Sequence, residues 1–295
     1  MKDALRRLAR WLAGRLSPGM LEFMYTVVCK PRFLRRPVDA VLGFLIPKTV
    51  QIHDILVALN PRDPVVSGGL MLNVYEMYEI EMFRKALRPG MVVVDIGAQI
   101  GFYTATAAHG VGATGRVIAF EPDPGNFSFL EQTVRINGFS NVDCYRVALA
   151  DELRRGRLFL SAQNVADHRL YDSGDSRPSI EVDVWTLDGF MDEQQILHID
   201  FIKMDVQGSE GRVLRGMTRI LQSRLPVTLM TEFWPQGLQM CGVTADEVLQ
   251  LIVHSGFTIL EMDPSKQTLT PVDDLELLKS RYPGRKYGNL YCVRS

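Results

Sequence analysis

A chain of 295 residues, 46% apolar and 23% charged, is long enough to bury a core without disulfide or metal staples. Its net charge of −1 gives no global field that would favour nucleic acid. The four cysteines (Cys29, Cys144, Cys241, Cys292) are far apart and form no C-x-x-C, which points to reduced thiols in a cytoplasmic protein. The five histidines show no metal-ligand spacing, so no metal is expected, and no apolar run reaches the roughly 18 residues of a membrane span.

In chain order, "MKDALRRLARWLAGRL" sets Leu5, Leu8, Leu12 and Leu16 on one helical stripe and leaves the arginines largely elsewhere. Residues 1–36 hold nine Lys/Arg and two acids, a local charge of +7. Two readings stay open for this amphipathic basic helix. It packs on its own domain or a second subunit, or it makes a peripheral contact with the inner face of an anionic membrane. Residues 1–72 are read as a basic helical extension and 73–295 as the main domain. "NVYEMYEIEMFRKALRPG" (73–90) reads as a helix closed by Pro-Gly.

Beyond it, strand-like runs at 91–95, 116–121, 142–147, 199–205, 226–233, 257–262 and 287–293 alternate with helical patterns at 102–110, 125–137, 209–222 and 244–255. Such alternation predicts crossovers and a mostly parallel sheet with flanking helices. Between 152 and 197, "GRLFL" and "SIEVDVWTL" read as strands around a polar loop.

The stretch "MVVVDIGAQIGFYTATAA" (91–108) carries the chemistry. Asp95 closes a buried parallel strand, at the edge where open α/β sheets bind ligands. Gly97 and Gly101 give bare backbone, and the helix from Phe102 points its amide end at the site. The spacing is G-x-x-x-G rather than the G-x-G-x-x-G of a pyrophosphate site. An acid beside bare backbone suits a ligand with a cationic amino-acid end, and S-adenosylmethionine has one. "VIAFEP" places Glu121 at the next strand end, where an acid can accept both ribose hydroxyls; Pro122 stops the ladder there. Asp151, after "YRVALA", is expected to meet the adenine amino group.

The pieces "VVVDIGAQIGFYT", "GRVIAFEPDPGNFSFL", "NVDCYRVALAD", "NVADHRLY", "FIKMDVQGSEGRVLRG" and "TEFWPQGL" stand in an order that resembles the FkbM family of S-adenosylmethionine-dependent methyltransferases, over about three quarters of the chain. The resemblance implies a Rossmann-like class I methyltransferase fold with a seven-stranded sheet whose last strand is antiparallel. It also implies O-methylation of a hydroxyl on a sugar or glycan, polyketide or related metabolite. Gln99 stands where the family usually has Asn, and "DVQG" where it usually has D-V-E-G, with Gln207 in place of Glu. The expected cofactor contacts are Asp95, Gly97, Gln99, Gly101, Tyr103, Glu121, Pro122, Asp151 and Asp205. For a base near the acceptor hydroxyl the candidates are Asp205, His168 and Glu232, with Glu210 on the next helix turn behind them, and for acceptor contacts Asn164, Arg169 and Trp234. Lys203, in the same strand as Asp205, either snorkels or pairs with an acid of the site. Two other function classes remain: a nicotinamide-dependent oxidoreductase on a similar sheet, and a membrane-associated, non-catalytic binding module. An oligomer is possible.

Overall fold

The computed structural model describes residues 43–161 and 164–294; the basic helix expected in residues 1–36 lies outside them. The chain divides after Met77 into two compact units. The described part of the first holds an antiparallel hairpin, β1 (Thr49–Ile52) and β2 (Ile55–Ala58), and helix α1 (Val66–Leu72). Asp63, 1% exposed, accepts the amides of Val65, Val66 and Ser67 and so satisfies donors that the helix start leaves open.

The second unit is built on an eight-stranded sheet. Its strands are β3 (Val92–Ile96), β4 (Arg116–Phe120), β5 (Val142–Tyr145), β9 (Phe201–Met204), β10 (Val227–Phe233), β11 (Thr258–Asp263), β12 (Thr268–Pro271) and β13 (Gly288–Arg294), in the spatial order 12-11-13-10-9-3-4-5. The run β10-β9-β3-β4-β5 is parallel, and β13 enters antiparallel between β10 and β11. The antiparallel β13 within this order is what the resemblance implies. All seven expected strands are present in their expected order. The eighth, β12, is a four-residue edge strand that follows a turn held by Asp263, whose carboxylate accepts the amides of Ser265 and Lys266. "TLTP" gives almost no apolar signal because its residues are mostly exposed, and Pro271 is tolerated because an edge strand has a side without ladder bonds.

Helices α3 (Phe102–Val111) and α4 (Pro124–Ile136) follow β3 and β4. Asp123 caps α4 by accepting the Asn126 amide at 2.8 Å, and Pro124 opens it. The single helix expected over 209–222 is two, α6 (Glu210–Arg215) and α7 (Thr218–Gln222). The break falls at Gly216, where a Cβ would lie 2.0 Å from the Ala150 carbonyl oxygen. Between β5 and β9 stands a small second sheet of β6 (Ala148–Leu149), β7 (Arg154–Phe159) and β8 (Ser179–Trp185), followed by helix α5 (Leu187–Glu193). The expected pair of strands around a polar loop is the antiparallel β7–β8 pair.

Candidate functional site

The parallel register places Met204 of β9 opposite both Ile96 of β3 and Thr231 of β10. The next residues, Gly97, Asp205 and Glu232, therefore share the carboxyl edge of three adjacent strands. Two steps back from Asp205, Lys203 pairs with Asp95 and Met230 in the same register. Paired residues of parallel strands face one side of the sheet, so Asp95, Lys203, Asp205 and Glu232 share a face. It is the α3 face, because Thr104 of that helix donates to Asp95 Oδ2 at 2.6 Å and Lys203 Nζ lies 4.7 Å from the centre of the Tyr103 ring.

The turn after β3 is pressed tightly into the protein. Gly97 has φ +80°, and a Cβ there would lie 1.9 Å from the Asp205 carbonyl oxygen. Gly101, at φ +86°, would bring a Cβ within 2.8 Å of Leu130. The bare backbone expected to admit a ligand is thus demanded first by close approach to β9 and α4. Between the glycines, Gln99 holds a left-handed φ of 51° and donates its amide to Glu121 Oε2 at 2.9 Å. Glu121 Oε1 accepts the Asp123 amide at 2.9 Å, beyond the intervening Pro122. Burial raises the Glu121 carboxyl to about 7, although both amides pull it down. The Gln99 Nε2 atom is buried and has no hydrogen-bond partner. The residue whose backbone amide binds the Glu121 carboxylate thus also keeps an unused side-chain donor, and a donor with a carboxylate acceptor suits a ribose diol, so these residues fit the expected cofactor.

Asp95 is fully buried, and that burial raises its carboxyl against the pull of Lys203. Its Oδ2 accepts from Thr104, while its Oδ1 is buried without a hydrogen-bond partner among the described residues. Tyr103, also expected at the cofactor, is buried. Its ring is 6% exposed and packs edge-on against Phe83 at 5.2 Å, under the Lys203 cation. Asp151 was expected at the adenine. It lies six residues past the end of β5 and accepts from Arg212 Nη2 at 2.7 Å and Nε at 3.0 Å. Its carboxylate makes an ion pair between the second sheet and α6.

Asp205, Glu210 and Glu232 bring carboxylate oxygens within 4.8 Å of one another. Glu210 is 1% and Glu232 7% exposed, while the Asp205 side chain is 24% exposed. Asp205 is the member of the cluster open to an incoming group. Gln207 Nε2 donates to Asp205 Oδ1 at 2.8 Å and reaches Glu232 Oε1 at 3.4 Å, and Lys203 Nζ lies 3.6 Å from Asp205 Oδ2. These three acids are the ones among the described residues spaced to hold a metal ion, yet an ion would have to displace the amide and the ammonium that already face them. Glu210 stood behind Asp205 among the expected candidates. Its Oε1 accepts the Val206 amide at 3.0 Å, and burial raises its carboxyl to about 7. The motif "DVQGSE" held the signal, since its second acid begins α6.

The loop after β7 runs along this edge. Asn126 Nδ2 donates to the Val165 carbonyl at 3.1 Å, and Tyr171 OH donates to the Gln207 carbonyl at 3.1 Å. The loop thus touches the start of α4 and the turn after β9. His168 sits on the Glu121 side, with Nε2 3.9 Å from Asp123 Oδ2. Its Nδ1 accepts the Ser161 amide at 3.0 Å, and burial lowers its pKa. A neutral imidazole whose Nδ1 accepts carries its proton on Nε2, the nitrogen that faces Asp123. Asn164 accepts the Ala166 amide on its side-chain carbonyl at 3.0 Å. Arg169 stacks its guanidinium over Trp234 at 4.8 Å, with Nε on Asp167 at 2.6 Å. Trp234 is 8% exposed and donates Nε1 to the Gly284 carbonyl.

Residues 95–259 match the methyltransferase FkbM domain model. The chain is 30% identical over 216 residues to 31-O-demethyl-FK506 methyltransferase FkbM of Streptomyces tacrolimicus, covering 60% of this chain and 77% of that one. It is 29% identical over 155 residues to ribosomal RNA large subunit methyltransferase E of Nitratidesulfovibrio vulgaris, covering 43% of this chain and 72% of that one. Among solved structures it is similar to methyltransferase FkbM of Methylobacillus flagellatus, with 18% identity, a TM-score of 0.41, and coverage of 88% of this chain and 59% of that one. With the family model spanning more than half of its length, the chain belongs to the FkbM family of S-adenosylmethionine-dependent methyltransferases.

Proposed function

We propose that this methyltransferase acts on a hydroxyl oxygen of a polyketide, sugar or related metabolite, and that Asp205 receives the hydroxyl proton. When bound, S-adenosylmethionine supplies an electrophilic methyl group on a sulfonium sulfur. Glu121 and Gln99 would hold its ribose, and the turn from Gly97 to Gly101 its amino-acid end. A hydroxyl is a poor nucleophile at neutral pH, so a carboxylate that accepts its proton speeds attack. The observation that carries the assignment is exposure within the acid cluster: Glu210 and Glu232 are sealed, and Asp205 is open. Glu232 then acts through Gln207, which reaches both carboxylates. The stacked Arg169 and Trp234 border the acceptor side, and the loop over 164–177 narrows it.

The test has two stages. Calorimetric titration with S-adenosylhomocysteine, wild type beside Glu121→Ala, should give micromolar binding that the variant loses. Transfer of a labelled methyl group is then measured on 31-O-demethyl-FK506, a set of methyl glycosides and transcribed ribosomal RNA. Label on a glycoside or macrolide hydroxyl that Asp205→Asn abolishes supports the reading. Label on RNA alone, or at nitrogen or carbon, overturns it.

A further inference from the structure

The acid edge is held by a cation that the expected chemistry does not use. Lys203 lies within β9, where its neighbours in register are Asp95 and Met230, and it is 7% exposed. A lysine stem inside a buried strand removes an ammonium from water, and such burial persists where partners compensate it. Here the partners surround the ammonium. Asp205 Oδ2 is 3.6 Å away, the Tyr103 ring face lies at 4.7 Å, and the field of Lys203 acts on Asp95 below. The opposite oxygen of the same carboxylate, Asp205 Oδ1, is taken by Gln207 Nε2 at 2.8 Å. Gln207 in turn holds a left-handed φ of 54°, and its carbonyl is pinned by Tyr171 OH.

We infer that Lys203 and Gln207 are positioning residues that clamp the Asp205 carboxylate from its two sides and fix the direction in which it faces the acceptor. The inference rests on the reading of Asp205 as the proton acceptor. Neither residue touches the reacting atoms. Lys203 reaches Asp205 from the floor of the site with charge, and Gln207 from the rim with one hydrogen bond. A neutral amide suits the rim because it also reaches Glu232; a carboxylate there would add a like charge within hydrogen-bond distance of two others. The ammonium suits the floor because a carboxylate between Asp95, Glu210 and Glu232 would otherwise turn away from them toward solvent.

The test compares wild type, Lys203→Met, Lys203→Arg, Gln207→Met and Asp205→Asn. Methionine keeps the length and much of the volume of lysine. Gln207→Met perturbs the partly exposed rim and keeps the test open should Lys203→Met fail to fold. Crystal structures with S-adenosylhomocysteine give a readout that needs no acceptor. The expected result is an Asp205 carboxylate rotated from its wild-type position in Lys203→Met or Gln207→Met, with S-adenosylhomocysteine affinity within about threefold of wild type. With 31-O-demethyl-FK506 or a methyl glycoside as acceptor, kcat falls about 10²-fold with KM little changed, Lys203→Arg restores part of it, and the acid limb of the pH–rate profile moves in Lys203→Met. An Asp205 carboxylate that stays in place in both variants overturns the inference. Full transfer by Asp205→Asn instead defeats the base assignment, whatever the crystals show of the clamp.

Discussion

The affinity of the protein for S-adenosylhomocysteine should depend on pH through Glu121, and the size of the effect follows from the structure. Burial raises this carboxyl from 4.5 to about 7 in the folded protein. A carboxylate that accepts two ribose hydroxyls binds them best when ionised, so the ligand selects the deprotonated form. Below the raised pKa each pH unit then removes close to tenfold in affinity, and above it the affinity is flat. Binding at pH 6 should be about tenfold weaker than at pH 8. Calorimetry at pH 6 in two buffers of different ionisation enthalpy should show close to one proton released per ligand bound. Glu121→Gln cannot ionise, so its weaker affinity should be the same at both pH values. Equal wild-type affinity at pH 6 and pH 8, with no proton released, would refute the reasoning, because it would mean that the ribose hydroxyls do not use this carboxylate.

The same burial sets an opposite trend in the ligand-free protein. Glu121 and Glu210 are both raised from 4.5 to about 7, so each stabilises the fold below about pH 4.5 relative to pH 7 and loses that contribution as pH rises toward 7, at most roughly 3 kcal/mol apiece. Urea midpoints of the apoprotein should therefore fall between pH 5 and pH 8. Gly97→Ala should cost roughly 3 kcal/mol or more, from the left-handed φ and the clash with the Asp205 carbonyl, read from the same midpoints. Asp151→Ala should leave S-adenosylhomocysteine affinity within about threefold and cost about 1 kcal/mol or less, since its pair with Arg212 is partly exposed; lost binding would restore the adenine contact. His168→Asn should keep methyl transfer well above the 10²-fold loss that removal of a general base brings.

The central sheet was legible because its strands are buried on both faces. "VVVDI", "RVIAF" and "FIKM" are mostly apolar runs closed by turns. The edge strand β12 was not legible, because an exposed strand needs no apolar pattern, and the break at Gly216 depends on a backbone contact with Ala150 that lies 66 residues away in sequence. The site divides in the same way. Glu121 at a strand end, beside Gln99, could be placed from spacing alone, since a parallel sheet fixes where strand ends go. The ion pair of Asp151 was not legible, because the chain travels on past β5 into a second sheet before that acid appears, and Arg212 lies in another part of the sequence. For His168 the sequence supplies a residue of suitable pKa, but only the fold shows which ring nitrogen is already bonded.

Asp95, Asp205, Glu210 and Glu232 face one lysine among the described residues of this edge. Burying acids in such excess destabilises a protein unless protons or cations compensate, and the raised carboxyls of Asp95 and Glu210 mark that cost. A fold selected for stability alone would replace some of them. Their presence at the edge of three strands is accounted for if the ligand itself brings positive charge. S-adenosylmethionine carries an ammonium and a sulfonium, and the sulfonium charge disappears when the methyl group leaves. An acid-rich edge therefore favours the substrate form of the cofactor over the product form. The same excess gives Asp205 a reason to be clamped: among like charges, a carboxylate meant to face the acceptor has to be held there by Lys203 and Gln207.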